Sequence, residues 1–104
     1  MGKLTVFVRL TCKPGKKEEV MRIMAEKCTP YMDESDGYDV FFISNGIENE
    51  NEIHVLEYFS DGSVYWDNCE ADWFLAYKKE IEPLLEKPTE AFRGEPVHAK
   101  GYPF

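Results

Sequence analysis

EYFSDGSVYWDNCEADWFLAY, residues 57–77, is the stretch on which the fold turns: a strand-like ending, Glu57-Tyr58-Phe59, breaks at Ser60-Asp61-Gly62 and gives way to two helical segments crowded with rings. It holds both tryptophans, Trp66 and Trp73, and three of the six tyrosines. Large rings that are apolar in body and polar at the tip suit the wall of a pocket, and this stretch is expected to form one. Ser60 or Asp61 is suited to cap a first helix over residues 63–70, and Asp72 to cap a second that runs from Trp73 to about Glu86. In the second helix Phe74, Tyr77, Ile81, Leu84 and Leu85 recur at helical spacing, Pro83 loosens the last turn, and Lys87-Pro88 ends it.

Upstream of this stretch the period changes from helix to strand. Ile53, Val55, Glu57 and Phe59 alternate with His54, Leu56 and Tyr58, which predicts a strand over residues 52–59. The Asn-rich loop 46–51 joins it to a strand at residues 38–45, YDVFFISN, which is apolar on both faces and so reads as central or doubly covered. The first strand is residues 4–11, with Leu4, Val6, Val8 and Leu10 on one face and Thr5, Phe7, Arg9 and Thr11 on the other. Lys13-Pro14-Gly15 punctuates it before a helix from Lys16 to Met32, striped by Val20, Ile23, Met24, Cys28 and Tyr31, in which Thr29-Pro30 marks a kink or an early end. Thr89 to Arg93 reads as a short fourth strand.

The resulting order, βαββαβ, predicts an α+β fold, the ferredoxin-like split motif, with an antiparallel sheet and helices on one face. One domain over residues 1–93 is expected, followed by an extended tail, 94–104, whose Val97, Tyr102 and Phe104 could reach a second protomer. The bare sheet face carries Phe7 and half of the second strand, so a second copy stacked sheet to sheet is the economical cover. A chain of 104 residues buries only about two-thirds of its unfolded surface, which points the same way, to a homodimer.

Charge and cysteine usage narrow the function. A net charge of -8, from 20 acidic and 12 basic residues, repels phosphate backbones and anionic lipid, so neither nucleic acid nor membrane is an expected partner. The basic cluster Lys13, Lys16 and Lys17 runs straight into Glu18 and Glu19, as a solvated helix start does. Cys12, Cys28 and Cys69 are odd in number and far apart, which argues against a disulfide framework and for a reduced, cytoplasmic setting. With only His54 and His98 to partner them, no metal site is expected. No apolar run approaches the ~18 residues that span a bilayer, and the N-terminus lacks a signal-peptide pattern.

Four motifs in this order resemble the antibiotic biosynthesis monooxygenase (ABM) domain family of the dimeric α/β barrel superfamily, over about Leu4 to Phe92. They are the Lys13-Pro14-Gly15 turn after the first strand, the Asp36-Gly37-Tyr38 turn before the second, the ending Glu57-Tyr58-Phe59, and a final helix closing in Ile81-Glu82-Pro83-Leu84-Leu85. The resemblance implies a homodimer with an apolar cavity in each protomer; some members are similar to cofactor-independent oxygenases that turn polycyclic phenols into quinones, and others act on small sugar-derived signals, degrade haem or have no known activity. It also sets departures. Two places that often hold histidine in such proteins are occupied by Asn68 and Trp73, and the position of the haem-ligating histidine in the haem-degrading branch is Lys78, a poor iron ligand. No cofactor is expected. His54, whose type titrates near neutrality, is the candidate base, and either His54 or Asn68 is the candidate for handling the phenolic proton. Arg9, Tyr65, Trp66, Trp73 and Tyr77 are the candidate substrate-binding residues, for a small apolar or aromatic ligand. The departures leave a second reading open, a non-catalytic barrel that binds such a ligand or scaffolds a partner.

Overall fold

A computed structural model describes residues 2–101. Period-2 alternation becomes three eight-residue strands, β1 (Leu4–Thr11), β2 (Tyr38–Asn45) and β3 (Glu52–Phe59), and a shorter fourth, β4 (Glu90–Gly94). All pairings are antiparallel and the order is β2-β3-β1-β4. With the helices in sequence between them, this is the ferredoxin-like α+β architecture. β2 is therefore an edge strand. The expectation that it is central fails because its two apolar faces are shared differently: Phe41 and Ile43 pack on the core, whereas Phe42 faces outward and is 60% exposed.

The helices follow their punctuation. α1 (Lys17–Lys27) opens after a turn in which Gly15 takes φ +79, carries Glu18 and Glu19 in its first turn and Lys27 in its last, and buries Val20, Ile23 and Met24. It stops at Cys28, and α2 (Thr29–Asp33) restarts the chain in a new direction with Pro30 in its first turn. Asp61 caps α3 (Gly62–Glu70), accepting from Ser63 N at 3.0 Å. α4 (Asp72–Ile81) has no such cap: Ala71 holds the N-cap position, and Asp72, expected to cap, instead places its charge in the first turn. Pro83 converts what would be the last turn of α4 into a 3-10 turn, Glu82–Leu84.

One sheet face meets the helices. Leu10, Ile53 and Val55 from the strands, Val20, Ile23, Met24 and Cys28 from the α1 region, and Tyr77 and Ile81 from α4 form its buried cluster. Truncating a fully buried member such as Ile53 to alanine costs about 2–5 kcal/mol. α1 and α4 are tied by Lys27 Nζ to Glu80 Oε2 at 3.2 Å, and α2 leans on α4 through Tyr31 stacked on Trp73, rings 4.7 Å apart and 3° from parallel. On the opposite face no element of the described residues packs. Of the apolar tail residues, Val97 is exposed, and Tyr102 and Phe104 lie outside the described residues. Among the described residues, no helix is long and apolar enough to cross a membrane.

Candidate functional site

Between the covered sheet face and the helices lies a cavity of about 310 Å³. That is at the small end of ligand cavities, which run to roughly 300–1,000 Å³. Its floor is Val8 and Leu10 of β1 with Val55, Glu57 and Phe59 of β3; its roof is Tyr65, Asn68 and Cys69 of α3 with Trp73, Phe74 and Tyr77 of α4. Residues 57–77 thus supply floor and roof together.

The one carboxylate in this lining is Glu57. Strand alternation puts it in register with Ile53 and Val55, facing the core, and it is only 6% exposed. Burial pushes its carboxyl up from 4.5 to about 7, against the downward pull of a hydrogen bond that Tyr38 Oη donates to Glu57 Oε2. Tyr38 reaches that position by a bulge. β2 pairs Tyr38 with Phe59 and then Val40 with Tyr58, so the ladder slips at Asp39, and the ring that simple alternation would turn outward with Val40 turns into the cavity. Burial raises the Tyr38 hydroxyl well above the ordinary range of a phenol, with the Glu57 charge adding to it, and it stays a donor.

Asn68 lines the same cavity from α3, and its Nδ2 is buried with no hydrogen-bond partner among the described residues. An unmet buried donor costs about 1–3 kcal/mol, which an acceptor on a ligand would recover. Sulfur fills much of the remaining wall, from Met24, Cys28, Met32 and Cys69. Burial lifts the Cys28 thiol to about 12 and raises that of Cys69, so neither is poised as a nucleophile.

Of the residues expected from sequence, Asn68, Tyr65, Trp73 and Tyr77 converge on the cavity. His54 and Arg9 do not join them. They are cross-strand partners on the outer sheet face, where His54 Nε2 lies 2.8 Å from Glu52 Oε1 with its ring 5.6 Å from Phe7, and Arg9 Nη2 donates to Glu90 Oε2 at 2.6 Å. Trp66 is outside the lining too; it is largely exposed and packs edge-on against Tyr65 at 4.8 Å. Glu57 was not among the expected site residues. Its signal was an acid at a core-facing position of an otherwise apolar alternation. Among the described residues, no group of three or more His, Cys, Asp or Glu is placed to hold a metal ion.

A covered sheet, an acid buried in an aromatic cavity and an open outer face define a small α+β protein with an internal cavity. Scans of protein-family models and of curated protein sequences give no match. Solved structures do match. A protein from Caulobacter crescentus CB15, provisionally named an antibiotic biosynthesis monooxygenase, superposes with a TM-score of 0.85 at 18% identity, covering 93% of this chain and 92% of its own. One of the same provisional name from Nitrosomonas europaea gives 0.83 at 14% identity, covering 97% of each. A conserved protein from Methanosarcina mazei Go1 gives 0.81 at 20% identity over 90% of this chain and 92% of its own. The chain shares its fold with that group over nine-tenths or more of its length.

Proposed function

We propose that this protein is a cofactor-independent monooxygenase of the ABM type, acting on a small aromatic phenol or quinol held in the 310 Å³ cavity. The observation that carries the reading is Glu57, a buried acid in an aromatic wall whose carboxyl is pushed up to about 7, where a general base is most effective. The shared fold with proteins provisionally named for that activity supports it.

In this reading Glu57 carboxylate removes the acidic proton of the bound substrate, and Asn68 Nδ2 donates to the oxygen on which the negative charge collects. The anion gives one electron to dioxygen, and recombination of the two radicals forms a carbon–oxygen bond. Glu57 returns its proton to the peroxide, and loss of water leaves a carbonyl. For a ring CH₂ the sum is R₂CH₂ + O₂ → R₂C=O + H₂O, with dioxygen the only oxidant. Tyr65, Trp73 and Tyr77 line the space around the ring and limit water.

The reading includes a homodimer closed over the bare sheet face, and a reducing, cytoplasmic setting, which the free thiols of Cys12, Cys28 and Cys69 support. Oxygen uptake with a panel of anthrones and hydroquinones tests the chemistry. Glu57→Gln keeps the size and the acceptor for Tyr38 and is expected to lower the rate at least about a hundredfold. Wild-type rates in that variant would remove Glu57 as the base, and no uptake with any substrate would leave the non-catalytic ligand-binding barrel.

A further inference from the structure

Of the residues that line the cavity, the exposed ones are Thr89 and two cations, Lys78 on α4 and Arg93 on β4, so the opening lies between α4 and β4. Arg9, Arg22, Lys27 and Lys87 each pair with a glutamate. Among the described residues neither Lys78 nor Arg93 has an acidic partner within ion-pair distance. Both instead rest on rings of the site. Lys78 Nζ lies 5.8 Å from the centre of Phe74; the Arg93 guanidinium lies 5.8 Å from the centre of Trp66 and donates through Nη1 to Tyr65 Oη at 3.4 Å. These contacts hold the side chains in place without neutralising them.

We infer that the ligand of this cavity is an aromatic acid, its ring among Tyr65, Phe74 and Tyr77 and its carboxylate at the opening between Lys78 and Arg93. The inference deepens the reading of the same cavity given above and names its substrate class. Glu57 lies on the sheet floor and the two cations at the mouth, so a proton is taken at one end of the ligand while its permanent charge is held at the other. Both cations are close enough to Cys69, in the roof, to oppose the rise that burial gives its thiol, which puts their fields inside the cavity. The opening leads into a second cleft of about 420 Å³ that shares Lys78, Ile81 and Thr89 with the first. A carboxylate there keeps part of its hydration, and so avoids the desolvation that makes a fully buried ion pair unprofitable.

The test is calorimetric titration with 2-naphthoate, its methyl ester and 2-naphthol, at low and high salt. Naphthoate is expected to bind about five- to tenfold tighter than the ester at low salt, with the preference shrinking at high salt. Lys78→Met with Arg93→Met should abolish the preference by weakening naphthoate to the affinity of the ester, while Lys78→Arg with Arg93→Lys should keep it. Equal affinity of acid and ester, an unchanged preference in the double Met variant, or no binding of naphthoate would overturn the inference. Oxygen uptake separates it from the oxygenase reading: a naphthoate preference in a protein that consumes no oxygen with any substrate sinks that reading and sustains this one.

Discussion

The hydroxyl of Tyr38 donates to the carboxylate of Glu57 across the edge of the sheet, and it can do so only because the β2 bulge at Asp39 turns the ring toward the helices. This bond favours the ionised acid, against a burial that favours the neutral one. Removing it by Tyr38→Phe should therefore move the midpoint of the pH–rate profile upward and cut oxygen uptake at pH 7 by about three- to tenfold. The rate well above the new midpoint should recover. A profile that keeps its midpoint would show that Glu57 does not carry the titration.

Stability should report the same acid independently of any substrate. The Glu57 carboxyl lies at about 7 in the fold against an ordinary 4.5, so the folded state holds its proton over a pH range in which the unfolded chain has lost it. A raised value means stability that is complete below 4.5 and is lost as pH rises to about 7, by about 3 kcal/mol at most. The groups that face Glu57 are Tyr38, Cys28, Cys69 and Tyr77, all neutral over that range because burial raises each of them. Glu57→Gln should gain on the wild type as pH rises, and urea melts at acid and at mildly alkaline pH should diverge in its favour. Parallel stability curves would contradict the burial of a titrating acid.

Asn68 makes a third, separable prediction. Because its Nδ2 has no partner among the described residues, Asn68→Leu removes a buried donor and should hold or raise the melting temperature, where loss of a satisfied amide would lower it. Binding should fall. A phenol that accepts from Nδ2 is expected to lose about tenfold in affinity, and an aromatic hydrocarbon of the same shape to lose little. Thermal shift with and without 2-naphthol distinguishes the two, and equal losses for both ligands would assign Asn68 to shape alone.

These relationships were legible to different degrees in the residues themselves. β1, β2 and β3 fall at the ends expected from alternation, since Lys13-Pro14-Gly15, Asp36-Gly37 and Ser60-Asp61 punctuate them and each needs only local chemistry. The edge position of β2 depends on long-range pairing, which its local pattern does not encode. The period of β3 already separates His54 from Glu57, because Ile53, Val55 and Phe59 mark the core parity and His54 lies off it. Residue type drew attention to the histidine, and burial made the glutamate the better base. Tyr38 was hidden by the bulge, and Lys78 and Arg93 by their distance along the chain, bridged only when the fold brings α4 and β4 to one cavity.

The outer face carries the last prediction. The register sets Phe42 beside Leu56, Leu56 beside Phe7 and Phe7 beside Phe92, so one apolar row crosses all four strands, and Phe42, Leu56 and Phe92 are 60%, 49% and 53% exposed. Next to it runs a polar row, Ser44, His54, Arg9 and Glu90, in which Arg9 pulls the Glu90 carboxyl down to about 2. An apolar band with a charged border is the pattern of an interface core and rim, and the row sits where a stacked second sheet would bury it. Leu56→Lys places a charge at the centre of that band without touching the cavity. It should weaken self-association by about a hundredfold or more and leave the monomer folded, since Leu56 is half exposed in it. Sedimentation at micromolar concentration reads the outcome directly: a dimeric wild type with a monomeric Leu56→Lys is expected, and a wild type that sediments as a monomer would leave the apolar row without a homodimeric role.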